Sequence, residues 1–220
     1  MKFQRIPKDF LRTIHSGSKN IPTLYFHSNP LVRELFYKRL EIIFRLLSGD
    51  SKIQNQIVCD FGGGGGVFLP TLSKSFKKVV VIDLETYEAE KIVKRYRLKN
   101  VDIFRRNVLS NQLPNCYFDK VVAADVLEHF QDLKEPIKEI YRLLKPLGLL
   151  FVSVPTENLF YRLGRILTGL KKPVDHHHNA REIEQTLQKE SFIITKKLFL
   201  PFQCSPLSLF SILKAEKRTS

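Results

Sequence analysis

The order of apolar and polar positions divides the chain into segments of two periods. Asn29 can cap a helix and Pro30 suits a first helical position. From there Leu31, Leu35, Leu40, Ile43, Leu46 and Leu47 recur at helical spacing as far as Gly49. Short apolar runs follow. Gln56–Phe61, Lys78–Asp83, Val101–Arg106, Phe118–Ala124 and Gly148–Val154 read as five strands, the last closed by Pro155. Helical stretches lie at Val67–Phe76, Glu85–Leu98, Glu135–Lys145 and Ala180–Glu190. The extended runs Phe192–Leu200 and Leu207–Ala215 have no helix between them, which predicts an antiparallel hairpin at one sheet edge. Residues 1–28, interrupted by Pro7, Gly17 and Pro22, predict irregular structure.

Strands alternating with helices at this spacing predict the α/β class: a doubly wound, mostly parallel sheet covered on both faces. Ligands in such sheets bind outside the carboxyl ends of the strands. The length suits one domain over residues 1–220, with 1–50 as an N-terminal extension and helix. Residues 156–179 form an insertion longer than a tight connection needs. Within it Leu159, Phe160, Leu163, Ile166, Leu167 and Leu170 can share a face beside Arg162, Arg165, Lys171 and Lys172. That segment is a candidate substrate lid, a basic amphipathic helix touching an anionic membrane surface, or a surface helix packed on the core.

Composition alters this picture in two places. Cys59, Cys116 and Cys204 are odd in number, far apart and without a CxxC pair, which fits a reducing compartment and neither a disulfide framework nor a zinc site. The first residues lack the apolar block of a secretory leader, and the apolar stretch Leu147–Pro155 is too short to span a bilayer. The expectation is a cytoplasmic protein, with peripheral membrane contact left open. The formal charge of +14 attracts anions, but the basic residues are spread along the chain. A solvated basic surface explains them as well as an anionic partner does.

The most informative segment is Val58-Cys-Asp-Phe followed by five consecutive glycines, Gly62 to Gly66. So many residues without a Cβ between a strand and a helix point to a main chain that bends tightly around a ligand. A dinucleotide fingerprint needs small residues at relative positions 1, 3 and 6, and every register here ends on Val67, Phe68 or Leu69. A phosphate-binding Walker loop fails too, because no Lys-Ser/Thr pair follows. What fits is acid-x-Gly-x-Gly-x-Gly: Asp60, Gly62, Gly64 and Gly66. This resembles the first motif of class I S-adenosylmethionine-dependent methyltransferases, and the resemblance runs from about Asn29 to the C-terminus.

The resemblance implies a seven-stranded Rossmann-like sheet and S-adenosylmethionine as cofactor. Asp83, ending the second strand, is then the acid that accepts the ribose hydroxyls, an arrangement nucleoside cofactors share. Leu84 would lie against the adenine. Asn107, followed by Val108, stands where the family often has an acid facing the adenine amino group. Phe118-Asp-Lys-Val-Val-Ala-Ala-Asp-Val-Leu-Glu-His-Phe is similar to the fourth motif of the branch that O-methylates quinone precursors, which places Ala124 beside the cofactor's methionine portion. Asn29-Pro-Leu-Val-Arg33 is similar to that branch as well. It makes Arg33 a candidate for the cofactor carboxylate, against the plainer reading of a solvated helix arginine.

Asp125, Glu128 and His129 stand at i, i+3 and i+4. Three readings stay open: a capping pair of Asp125 and Glu128, His129 as general base, or all three as ligands of a divalent cation. Adjacent histidines in Asp175-His-His-His-Asn cannot all face one ion. Relatives often carry a histidine that points into the acceptor pocket, which makes His177 and His178 catalytic candidates. The strand end lacks the Asn-Pro-Pro-Tyr sequence of enzymes that methylate nucleobase amines, so nucleic acid is disfavoured as acceptor. The expected function is O-methylation of a small or lipid-like molecule. RNA or protein methylation, a non-catalytic cofactor-binding module and a nucleotide-dependent oxidoreductase are the alternatives.

Overall fold

The computed structural model describes residues 2–15, 21–49, 52–156, 158, 176–203 and 207–218. Seven strands form one sheet: β1(Ile57–Phe61), β2(Lys78–Asp83), β3(Val101–Arg105), β4(Phe118–Ala124), β5(Leu144–Pro155), β6(Phe192–Leu200) and β7(Phe210–Lys217). Their order is β3-β2-β1-β4-β5-β7-β6. The first five run parallel, and β7 lies antiparallel between β5 and β6. The edge hairpin is therefore present as predicted.

The central strands are largely apolar because both sheet faces are covered, Asp60 of β1 and Lys120 of β4 being buried exceptions. Side chains alternate between two cores with the strand period of two: Val58, Val79 and Val81 face one, Cys59, Val80 and Ile82 the other. The first core is closed by α2(Pro30–Leu47), α3(Leu69–Ser75) and α4(Tyr87–Tyr96), through Ile43, Leu72 and Ile92 among others. The second is closed by α5(Lys134–Leu143) and α6(Ala180–Lys189), through Ile137, Ile140, Ile183 and Leu187. Two of the described helices start at a side-chain cap. Asn29 accepts from the Leu31 N–H ahead of α2, and Asn179 with Glu182 forms a capping box at α6.

Two expectations need correction. Residues 1–28 are not wholly irregular: α1(Lys8–Ile14) starts after Pro7, and Thr23–Phe26 is a 3-10 turn. Leu11 and Ile14, three apart, bury one face of α1 in the first core. So short a helix rests on that packing more than on its own propensity. Strand β5 begins at Leu144, ahead of Gly148, because an irregular register between Phe118 and Lys120 lets β4 pair on both sides of a kink. Leu147 takes a positive φ there.

Strand order reverses between β1 and β4, whose neighbours lie on opposite sides of the sheet. The carboxyl ends of these two strands border the crevice where such sheets bind ligands. Among the described residues no helix is long and apolar enough to cross a membrane. Of the candidate lid at 156–179, residues 157 and 159–175 lie outside the described residues.

Candidate functional site

The glycine run begins where β1 ends, at that crevice. Gly62 has φ +72°, a left-handed backbone in which side chains are strained. Its N–H donates to the Ile82 carbonyl at 2.9 Å, so the bend starts while still tied to β2. A Cβ on Gly62 would stand 2.2 Å from Val126 Cγ2, the residue that closes over the bend from the β4 side. A Cβ on Gly64 would stand 2.7 Å from the Asp83 carboxyl carbon and 2.6 Å from the Glu85 carbonyl oxygen. Gly66 ends the bend, its N–H donating to the Gly63 carbonyl at 2.7 Å.

Two acids border the bend, and Asp83 is bonded to it. Asp83 Oδ2 accepts from the Gly64 N–H at 2.9 Å and Oδ1 from the Glu85 N–H at 3.0 Å. Each oxygen keeps accepting capacity for a further hydroxyl. Burial pushes the Asp83 carboxyl up, and the Glu85 and Gly64 N–H groups offset part of the rise. Asp60, 4% exposed inside β1, is pushed up to about 7, first by burial and then by the charge of Asp83. Gly63 belongs to the site as well, since a Cβ there would sit 2.3 Å from the Asp60 carboxyl carbon. Spacing alone did not single it out.

A carboxyl with a raised folded-state pKa binds more protons in the native than in the unfolded chain. Its contribution to stability is present below its ordinary value of 3.8 and lost as the pH rises through about 7. Wild-type stability measured against Asp60→Asn is therefore expected to fall between about pH 4 and pH 7 and then level off. Chemical denaturation across that range checks this; a difference independent of pH would contradict it.

The pair decides which ligand suits the bend. In a chain of net charge +14, the crevice is bordered by two crowded carboxyls, Asp83 half-buried and Asp60 buried behind the glycine bend. They repel a pyrophosphate and attract a cation that carries hydroxyl donors. A sulfonium nucleoside has both properties, so the residues present fit S-adenosylmethionine.

The other candidates for cofactor contact are less uniform. Leu84 is 61% exposed beside Asp83, an apolar surface free for a flat ring. Asn107 is exposed at the end of β3, and its Oδ1 already accepts from the Leu109 N–H at 2.9 Å. The capped 3-10 turn buries Val108. Ala124 is half-buried at the carboxyl end of β4. Arg33 Nη1 donates to the His27 and Ser28 carbonyls, the latter at 2.9 Å, which fastens the chain entering α2.

After β4 the expected helical face does not form. Asp125 takes φ +54°, and Leu127–His129 is a single 3-10 turn whose N-cap is Val126, with no side-chain cap. The capping pair of Asp125 and Glu128 is therefore absent. Asp125 turns away from Glu128 and His129 and forms an ion pair with Arg39 of α2. In its place stands His176, whose ring meets His129 edge-on at 4.9 Å. Ligating atoms of buried Glu128, His129 and His176 lie within 4.8 Å of one another. The His177 N–H, donating to the Glu128 carbonyl at 2.8 Å, pins the two segments together. His177 itself is exposed, while His178 bridges Glu182 at 3.1 Å and the Gln131 carbonyl at 3.2 Å and so braces α6. The sequence held one signal for Arg39: with Phe36, Leu40 and Ile43 it completes the buried stripe of α2. Nothing in spacing separated His176 from its two neighbours.

Comparison with known proteins agrees with this geometry. A family model described as "Methyltransferase domain" matches residues 32–195. A probable S-adenosylmethionine-dependent methyltransferase of Mycolicibacterium smegmatis is 26% identical over 83% of this chain and 66% of its own length. The ubiquinone biosynthesis O-methyltransferase of Pelagibacter ubique is 28% identical over 53% of this chain and 49% of its own. The chain thus spans less than two thirds of either relative. Among solved structures, the N-methyltransferase NodS of Bradyrhizobium japonicum with S-adenosyl-L-homocysteine superposes with a TM-score of 0.69. It is 18% identical, covering 96% of this chain and 98% of that one, a likeness of fold.

Proposed function

The chain belongs to the methyltransferase-domain family, and from that premise we propose that it transfers a methyl group from S-adenosylmethionine to an oxygen of a small or lipid-like acceptor. The observation that carries the cofactor half is the pair Asp60 and Asp83 facing a glycine bend at the sheet's switch point. Asp83 receives the ribose hydroxyls, Asp60 supplies negative charge to a cationic ligand, and Leu84 and Asn107 flank the adenine. When bound, the cofactor supplies a methyl group already activated on a sulfonium, so the protein mainly contributes proximity and alignment. His129, exposed after β4 and braced against His176, takes the proton of an acceptor hydroxyl on a ring nitrogen. The O-methylating Pelagibacter relative supports oxygen as the acceptor atom.

A second reading of the same residues has its own support. Glu128, His129 and His176 are a carboxylate and two imidazoles within ligand distance, a set suited to a divalent cation that would orient the acceptor. Turnover abolished by a chelator and restored by added cation favours this reading; indifference to chelator leaves His129 as base.

The test is incubation of the protein with methyl-labelled cofactor and, separately, a metabolite extract, a lipid extract, RNA and total protein. Label is expected in the metabolite or lipid arm, falling about 100-fold or more in His129→Ala. Label in RNA, with tight salt-sensitive binding, would replace this proposal with nucleic-acid methylation. Cofactor binding with no label in any arm would leave a binding module.

A further inference from the structure

Resting on the cofactor reading above, we propose that Arg39 is a positioning residue for both halves of the site, acting through Asp125. Arg39 is 2% exposed, an unusual place for a guanidinium on an amphipathic helix. Groups from several elements meet it. Nη2 donates to the Tyr25 hydroxyl at 2.6 Å, and Nη1 pairs with the Asp125 carboxylate. Its Cζ lies 5.0 Å from the Phe210 ring centroid and 5.3 Å from that of Phe36. The guanidinium thus gathers an N-terminal residue, α2, the start of β7 and the exit of β4 around one charge.

Asp125 is where that charge is applied. Its φ of +54° is a conformation that a residue with a side chain adopts at a cost, and it persists only when its surroundings fix it. Three contacts do so: the Asp125 N–H donates to the Ser153 carbonyl at 2.8 Å, Oδ1 accepts from Ser153 Oγ at 3.1 Å, and the other oxygen meets Arg39. The two residues of β4 and β5 that pair just before this turn are Ala124 and Ser153. What the turn controls lies on both sides of it. Val126, the next residue, occupies the space against which Gly62 bends. Leu127–His129 then carries Glu128 and His129 to His176. A turn relaxed by loss of the Arg39 charge would shift the wall of the cofactor bend and the histidine pair together.

The test uses Arg39→Met, Asp125→Asn and the double variant of the full chain, with S-adenosylhomocysteine as ligand in calorimetry well below each melting point. Methionine meets the rings of Tyr25, Phe36 and Phe210, and the Asp125 carboxylate that it leaves unpaired is partly open to water, so folding is expected to survive. Each single variant is expected to weaken S-adenosylhomocysteine about 3- to 30-fold, and the double variant no more than the worse single one. A role confined to stability would lower the melting temperature and leave the affinity untouched. Wild-type affinity in both single variants, or strictly additive losses, would overturn the proposal. Should Arg39→Met not fold, Asp125→Asn and Arg39→Lys carry the same comparison. Failure of the wild-type chain to bind S-adenosylhomocysteine would instead sink the cofactor reading, and this inference with it.

Discussion

Asp83→Ala is expected to keep its fold and lose S-adenosylhomocysteine binding by at least about 100-fold, roughly 3 kcal/mol. The carboxylate bonds two backbone N–H groups, those of Gly64 and Glu85, and is otherwise turned to the crevice. Water can reach both N–H groups once the side chain is gone, because the position is only half-buried. Removing it also relieves Asp60 of a neighbouring charge, so stability is not expected to suffer. What disappears is a charged acceptor for sugar hydroxyls, a bond stronger than neutral pairs and without substitute at this strand end. Calorimetry gives the affinity, and a wild-type value in the variant would refute the assignment.

The second large effect is expected at Gly64→Ala. No unusual φ is involved; the obstacle is space. The added methyl would meet the Glu85 backbone oxygen at 2.6 Å and the Asp83 carboxyl carbon at 2.7 Å, so the main chain or the carboxylate must move. Overpacking of this kind costs about 1–3 kcal/mol, and here the moving parts are the ligand's own contacts. Affinity for S-adenosylhomocysteine should fall at least about tenfold. Gly49→Ala is the control. Its Cβ would meet only the Leu46 carbonyl at 3.6 Å, an ordinary contact, and neither stability nor affinity should decline. Equal tolerance of both substitutions in a denaturation and binding series would contradict the close approach at Gly64.

Much of this was legible in the residues because it rests on local rules. Strands β2, β4 and β6 have the expected bounds, since apolar runs flanked by polar turns leave a buried strand little freedom. The glycine bend and Asp83 were legible because a main chain that bends without side chains has few purposes. What escaped depends on tertiary contact. Helix α1 exists through the packing of Leu11 and Ile14 on a core assembled from distant segments. The helical spacing of Asp125, Glu128 and His129 implied a shared face, but a positive φ at Asp125 and a 3-10 turn separate them. At that turn Asp125 is held by Arg39 and Ser153, 86 and 28 positions away in the chain. That His176 meets His129 likewise depends on contact between distant segments, where the His177 N–H donates to the Glu128 carbonyl, and no local pattern encodes it.

The central claim is that an acid-lined glycine bend binds an S-adenosyl nucleoside and rejects a dinucleotide. Thermal unfolding of the wild-type chain with S-adenosylhomocysteine and, separately, with NAD tests it most directly. At about 100 times its dissociation constant the nucleoside should raise Tm by about 5–10 °C, and NAD should leave it unchanged. Stabilisation by NAD with none by S-adenosylhomocysteine would contradict the account.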